Sequence, residues 1–423
     1  MFEVNEKYAK AVIYAETIEG EAVNQIVELC CQPMFGNSSI KIMPDCHSGK
    51  GCVIGFTSIL SKEQIVPNLV GVDIGCGVLT VIFDIDSEIN FKELEQYIRE
   101  NVPSGFSIRT NAHNIVNRPI SDNHAMKYGA KSLADCINII CDDIDESADK
   151  RMYHLLSVGS LGGGNHYCEL GKISEKRYAL SIHTGSRNLG KRICEFYQNK
   201  ASVVSNTAKK QILEKHKTAR TAEEHMAIQA ELENLPKIPK DLAYLDSEEL
   251  FNGYIKDMLL AKVVAAGNRE GIAEVIMSYL ISHNGAKVEE QFHTIHNYID
   301  RMDDGKIIIR KGAIDASYGK KVAIPLNMRD GVILGIGKGN ADWNFSAPHG
   351  AGRLMSRSEA KRQIQLDDFR ASMEGINTWS VNAGTIDESP QAYKSADEII
   401  KLISPTVEIQ QIIKPVYNFK ASE

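Results

Sequence analysis

The side chains able to carry chemistry in this 423-residue chain sit in short Gly- or Asn-containing turns scattered from residue 45 to residue 353. Each turn holds one or two such groups, and none makes a site alone. A site assembled from them draws on segments far apart in the chain, which calls for one integrated body rather than a string of modules. No tandem repeat, low-complexity tract or long linker interrupts the sequence. A single domain over residues 1–423 is therefore expected.

Composition narrows the class. Hydrophobic residues at 43% and charged residues at 24% fit a globular enzyme. A net charge of −7 argues against charge-driven coating of nucleic acid. It leaves room for a local basic groove, because the field in a cleft depends on arrangement rather than on the total. No run approaches the roughly 18 apolar residues of a membrane span. The stretch Met1–Lys7 is charged, without an apolar signal core. A cytoplasmic protein with no membrane partner is expected. The nine cysteines are odd in number and include no Cys-x-x-Cys pair. A disulfide scaffold and a zinc ribbon are both disfavoured, and most of these thiols should be buried and inert.

Period and punctuation predict strands over Gly51–Leu60, Gly77–Asp84 and Tyr178–His183, each rich in β-branched or aromatic residues and bounded by Gly, Asp or Asn. Helices are expected over Ala22–Cys31, Phe91–Glu100 and Ala125–Asp145. From about 206 to 282 the pattern turns helical. Lys209–Glu233 reads as a solvated helix, Pro236 and Pro239 break it, and Ser247–Ser282 reads as a partly buried one. Strands return at Lys306–Ile314, Val322–Pro325 and Val332–Ile336. A short helix follows near Ser395–Ile403, and an apolar run near Ile409–Ile413. The expected fold is α+β, a body of mixed sheets with a central helical insertion.

Five residues are candidate metal ligands: Asp73 and Cys76 in Gly71-Val72-Asp73-Ile74-Gly75-Cys76-Gly77, His166 in Gly164-Asn165-His166, His183 in His183-Thr184-Gly185-Ser186-Arg187, and His296 in His296-Asn297. A carboxylate, a thiolate and three imidazoles can hold one or two divalent transition ions, and a thiolate sulfur has lone pairs enough to bridge two. Spacing alone does not separate His296-Asn297 from His283-Asn284, which offers the same dipeptide.

A second set suits phosphate. The run Pro348-His349-Gly350-Ala351-Gly352-Arg353 combines glycines that let backbone N–H groups approach an anion, an arginine, and an imidazole able to act as a nucleophile. Gly162-Gly163-Gly164 and Gly185-Ser186-Arg187 can also present donors, although neither matches a P-loop or a dinucleotide fingerprint. A helix beginning near Gly352 would align Arg353, Arg357 and Lys361 on one face, toward the ligand of His349. In Met43-Pro44-Asp45-Cys46-His47-Ser48-Gly49-Lys50-Gly51, Asp45 can orient an imidazole and Lys50 can meet a phosphate.

Taken together these segments resemble the RtcB family of RNA ligases. The matching runs are those from Met43, Gly71, Leu161 (with Glu169 following), His183, His296 (with Arg310-Lys311-Gly312-Ala313 following) and His349, in family order across most of the chain. The resemblance implies a GTP- and manganese-dependent ligase. It would join RNA ends bearing a 3′-phosphate or 2′,3′-cyclic phosphate to 5′-hydroxyl ends, through a His–GMP intermediate and an activated 3′ end. By resemblance, Cys76 would bridge two Mn²⁺ ions, His183 and His296 completing one site and Asp73 with His166 the other. Arg310 to Ala313 after His296 favours that histidine over His283. His349 would be the nucleophile, held by Asp45. Asn165, Arg187, Gly350, Gly352 and Arg353 would serve the phosphates, and Glu169 and Lys420 the guanine.

The chain departs from the family pattern at three places. Pro348 precedes the nucleophile where cysteine or serine is usual. Pro325-Leu326-Asn327-Met328-Arg329 stands in place of a Pro-Gly-Ser-Met-Gly type turn. The ending Val416-Tyr417-Asn418-Phe419-Lys420 replaces a short Val-Lys-Gly. These departures, with the shorter length, mark a divergent branch concerned with RNA repair rather than tRNA splicing. A metal-dependent phosphoesterase that opens cyclic phosphates without ligation is the alternative enzyme. A catalytically idle RNA-binding protein is the non-enzymatic one.

Overall fold

A computed structural model describes residues 1–36, 38–60, 64–235, 237–245 and 247–421, without the side chains of residues 204–209. Its frame is a seven-stranded sheet in the order Lys321–Asn327, Gly331–Gly337, Val407–Phe419, Tyr167–Lys172, Arg177–Thr184, Gly77–Asp84, Lys287–Ile295. Every named pairing within it is antiparallel. A second, six-stranded sheet runs Phe2–Asn5, Lys10–Ile13, Ser39–His47, Ile54–Leu60, Ile307–Lys311, Asn297–Arg301. A two-stranded ribbon, Ala313–Asp315 with Ser346–Pro348, leads into the His349 run. The fold is α+β, as the pattern of elements predicts.

The helix Glu248–Asn284 braces this frame. Ser247 caps its start by accepting from the Leu250 N–H, and Gly285 ends it in the left-handed conformation. Buried residues lie on all its sides, the signature of a core helix rather than a surface one. Ile272, Ile276 and Leu280 pack with Leu79, Val81 and Phe83 of the sheet. The block expected from about residue 206 thus has two parts. Helices Asn188–Thr218 and Ala222–Asn234 form a hairpin with an exposed outer end, and the first begins immediately after Arg187. The second part is the buried helix. Pro236, expected as a breaker, lies outside the described residues.

Two expected elements are divided and a third is extended. Ala125–Asp145 is two helices, Asn123–Lys127 and Leu133–Asp143, because Ser132 caps a fresh start by accepting from the Asp135 N–H. Lys306–Ile314 breaks at Gly312 into strands of different sheets. The apolar run near Ile409–Ile413 belongs to a longer strand, Val407–Phe419. None of the nine cysteines is paired, and all but Cys31 are buried. Among the described residues no helix is long and apolar enough to cross a membrane.

Candidate metal and nucleotide site

Four neighbouring strands of the seven-stranded sheet end at one place. Cys76 precedes Gly77–Asp84, His166 precedes Tyr167–Lys172, His183 is the penultimate residue of Arg177–Thr184, and His296 follows Lys287–Ile295. The register sets His183 opposite both Val78 and Tyr167, and Gly77 opposite Ile295. Antiparallel pairing therefore gathers side chains up to 220 positions apart without any loop reaching across.

Their atoms form two triads that share one sulfur. Cys76, His183 and His296 make one, and Asp73, Cys76 and His166 the other, with ligand atoms in each within 4.8 Å of one another. Cys76 Sγ lies 3.3 Å from His183 Nε2 and 3.7 Å from His166 Nε2, and His166 Nε2 lies 3.2 Å from Asp73 Oδ2. The far nitrogens are anchored on backbone carbonyls: His166 Nδ1 on Leu161 at 2.9 Å, and His183 Nδ1 on Asn165 at 3.2 Å. Donating there leaves Nε2 of His183 as a lone pair toward the sulfur, whereas Nε2 of His166 faces both the sulfur and the Asp73 carboxylate. Asp73 Oδ1 is buried without a hydrogen-bond partner.

Burial depresses the basicity of His183 and His296 far below the ordinary imidazole value and pushes the Cys76 thiol well up. Burial also opposes ionisation of Asp73, but the contact with His166 outweighs it and holds the carboxyl low. Neutral imidazoles, a carboxylate and an orphaned oxygen around one sulfur fit a divalent cation. Gly185 makes the approach feasible, since a Cβ there would collide with the Asp73 carboxylate. Behind the cluster the fully buried Arg269 donates to the carbonyls of Gly75 (2.9 Å) and Thr184 (2.7 Å), tying two ligand-bearing turns together. Asn297 makes a further tie. Its Nδ2 donates to Asp73 O at 3.0 Å, and its Oδ1 accepts from the Gly312 N–H at 2.9 Å. His283 lies elsewhere, stacked on Tyr279 at the end of the long helix.

His349 faces this cluster, its ring centroid 4.6 Å from that of His296. The buried Asp45 receives both the His349 backbone N–H (3.1 Å) and ring Nδ1 (2.6 Å) on Oδ2. The residue before Asp45 is anchored as well. The buried Lys394 ammonium donates to the carbonyls of Thr17 (2.6 Å) and Pro44 (2.7 Å). Gly352 has φ +75°, and a Cβ on it would collide with the Asp45 backbone, so only glycine lets the two segments meet.

A cavity of about 640 Å³ joins these parts. Asp73, Cys76, His183, His296, Asn165 and His349 line one end. Glu169, Lys420, Arg353 and Glu388 line another, with Pro325 to Met328 forming wall. Arg187 stands apart from the lining. Its guanidinium rests against Gly162 and donates to Ser160 Oγ and Gly105 O, each at 3.2 Å.

The expected basic face is corrected by the structure. The helix begins at Arg357, capped by Ser356, so Arg353 lies outside it. The cations converge on an acidic pair that the sequence reading missed. Arg353 reaches Glu388 (3.2 Å), Arg357 reaches Asp387 (2.9 Å) and Glu388 (3.2 Å), and Lys361 reaches Asp387 (3.6 Å). Lys420 Nζ also lies on Glu388, at 2.7 Å, and the Tyr393 hydroxyl donates to the same carboxylate at 2.6 Å. Burial opposes the ionisation of Glu388, yet Lys420, Arg357 and Arg353 hold its pKa down to about 2. Glu169 shows the reverse balance, for burial lifts it to about 8 against the pull of Asn418 and Lys420.

A sulfur shared between two ligand sets, with an aspartate-held imidazole across one cavity, defines a class of metal-binding site suited to phosphoryl chemistry. The sequence model of the family described as tRNA-splicing ligase RtcB matches residues 25–421, and the chain belongs to the RtcB family. The RNA-splicing ligase RtcB of Escherichia coli K12 is 29% identical over 419 residues, covering 95% of each chain. The tRNA-splicing ligases RtcB of Aeropyrum pernix and Methanococcus maripaludis are each 27% identical. They cover 93% and 91% of this chain, and 90% and 88% of their own lengths.

Proposed function

We propose that the protein is a GTP- and manganese-dependent RNA ligase, its residues 1–423 acting as one ligase domain. It would join 3′-phosphate or 2′,3′-cyclic phosphate ends to 5′-hydroxyl ends. The observation that carries this reading is the Asp45–His349 pair sharing a cavity with two ligand triads joined at Cys76. Its relatives are named as RNA- and tRNA-splicing ligases. Nine unpaired thiols fit a reducing compartment, and we place the reaction in the cytoplasm.

Cys76, His183 and His296 would hold one cation, and Asp73, Cys76 and His166 a second. Bound there, the pair supplies Lewis acidity at phosphoryl oxygens. The chain's own residues do the rest. Asp45 accepts from Nδ1–H of His349, so the Nε2 lone pair is the free nucleophile. Nε2 attacks the α-phosphorus of GTP, the bond from that phosphorus to the α,β-bridging oxygen breaks, and pyrophosphate leaves. Asp45 stabilises the positive charge that develops on the ring. A 2′,3′-cyclic end is first opened by water to a 3′-phosphate. That phosphate takes GMP from His349, and the 5′-hydroxyl then displaces GMP to form the phosphodiester. The intermediate converts a poor leaving oxygen into a nucleotide.

Incubation with labelled GTP and Mn²⁺ should leave an acid-labile, base-stable label on His349. A His349→Ala protein that still takes up the label would defeat the proposal. Asp45→Asn should slow labelling by roughly 10²–10⁴-fold with the cluster intact. Opening of cyclic phosphate ends without joining, unchanged by GTP, would indicate the phosphoesterase instead.

A further inference from the structure

The base end of the cavity contains a cross-strand pair that the mechanism above leaves unused. Asn418 stands opposite Glu169 in the register between Val407–Phe419 and Tyr167–Lys172. Its Nδ2 donates to Glu169 Oε2 at 2.8 Å. Both residues line the cavity, although Asn418 is only 1% and Glu169 only 4% exposed. Among the described residues no other hydrogen-bond donor reaches the Glu169 carboxyl. Lys420, two positions further on, gives its ammonium to Glu388 and acts on Glu169 only through space. Asn377 steadies the strand by accepting the Asn418 N–H on its carbonyl oxygen at 3.1 Å and donating its own N–H to Val416 O at 3.0 Å.

A carboxylate only accepts hydrogen bonds, whereas a carboxylic acid donates one and accepts one. The two states read different purines. Guanine offers two adjacent donors, N1–H and the 2-amino group. Adenine offers one acceptor, N1, beside one donor, the 6-amino group. An amide N–H aimed at the carboxyl favours the acceptor-only state, because hydrogen bonding to the charged form stabilises it.

We propose that Asn418 is a positioning residue for purine choice: its amide orients Glu169 and biases it toward the acceptor-only carboxylate, so that the pocket gains preference for guanine over adenine. This rests on the nucleotide reading of the cavity given above. The groups facing Glu169 are Tyr167 on its own strand, Lys420, and Glu388 with Tyr393 behind that lysine. Lys420 and Asn418 favour the carboxylate, and burial opposes them strongly enough to lift Glu169 to about 8. Asn418 therefore acts where a modest interaction changes the state of the group near neutral pH.

The test is titration calorimetry of the intact protein with GMP and with AMP across roughly pH 6 to 9. In the wild type the GMP/AMP affinity ratio should rise as the pH approaches 8. Asn418→Leu removes the donor at similar size. It should lower the ratio at pH 7 about tenfold or more, the worth of a hydrogen bond to a charged group, and shift its rise to higher pH. Glu169→Gln should lose both the preference and its pH dependence. If Glu169→Gln keeps the wild-type ratio, the guanine contact itself fails. If Glu169→Gln loses the preference while Asn418→Leu retains the wild-type ratio and pH profile, the role given to Asn418 is overturned and the contact stands. If Asn418→Leu does not fold, the wild-type profile decides, because a ratio flat across that pH range overturns the proposal.

Discussion

The two ends of the cavity handle charge in opposite ways. At the strand ends, Asp73 Oδ1 has no partner, the His183 ring is tied at Nδ1 with Nε2 turned to the Cys76 sulfur, and burial keeps the thiol protonated. That end is under-satisfied, and the Arg269 guanidinium behind it is committed to backbone carbonyls. At the other end Glu388 gathers Arg353, Arg357 and Lys420, and every partner is already met. Buried polar groups without partners are costly, so the first end holds its donors in place for something it must acquire. The second end is a finished structural ion cluster whose surplus cations border the cavity. Cations counted in a sequence are thus not free for a ligand merely because they lie near a site.

The largest expected effect comes from the shared sulfur. Cys76→Ala should abolish binding of both cations, whereas His296→Ala and Asp73→Asn should each remove one. Metal analysis after dialysis against Mn²⁺ reads this directly, and a Cys76→Ala protein that still keeps a cation would break the picture of a common bridge. Next is Glu388→Gln, which leaves buried cations uncompensated and should cost about 3 kcal/mol in denaturant unfolding. The folded carboxyl has a pKa of about 2, against 4.5 for the ordinary group. Its contribution is therefore whole above pH 4.5 and fades as the pH falls toward 2. A variant that loses no acid-sensitive stability would show that Glu388 is not the hub. At Glu169 the sign reverses. Its folded pKa of about 8 exceeds 4.5, so the native state binds the extra proton and stability declines as the pH rises between those values. The slope is at most about 1.4 kcal/mol per pH unit. Glu169→Gln should flatten that limb, and an unchanged pH–stability curve would contradict it.

Much of this was legible in the residues. Gly77–Asp84 is bounded by turn residues and rich in β-branched side chains, and the strand has those limits. The candidate turns do converge, because each adjoins a strand and the strands are neighbours. The exclusion of Arg353 from the helix was legible too. Ser356 and Glu359 carry the Ser-x-x-Glu signature of a helix start, which excludes Arg353 from the helix. The same signature, Ser132 with Asp135, divides the helix expected over Ala125–Asp145. Other features had no local signal. Glu388 is one of 55 acidic residues, and only the fold brings it to Arg353 and Lys420. Arg269 reads as one more cation in a helix, yet its partners include carbonyls 85 and 194 positions away. The Asn418–Glu169 pair depends on strand register, which neither segment reveals alone.

The contact between Asp45 and His349 spans 304 positions of the chain. A ribosome adding about 5–20 residues each second spends tens of seconds between making the first partner and making the second. Throughout that interval the early strands can pair, but on the proposed mechanism the nascent chain still lacks the residue that would take up the nucleotide. If His349 is the nucleophile, premature stops and proteolytic stumps that lack its turn are chemically mute, and reactivity arrives as one late event in the life of the nascent polypeptide.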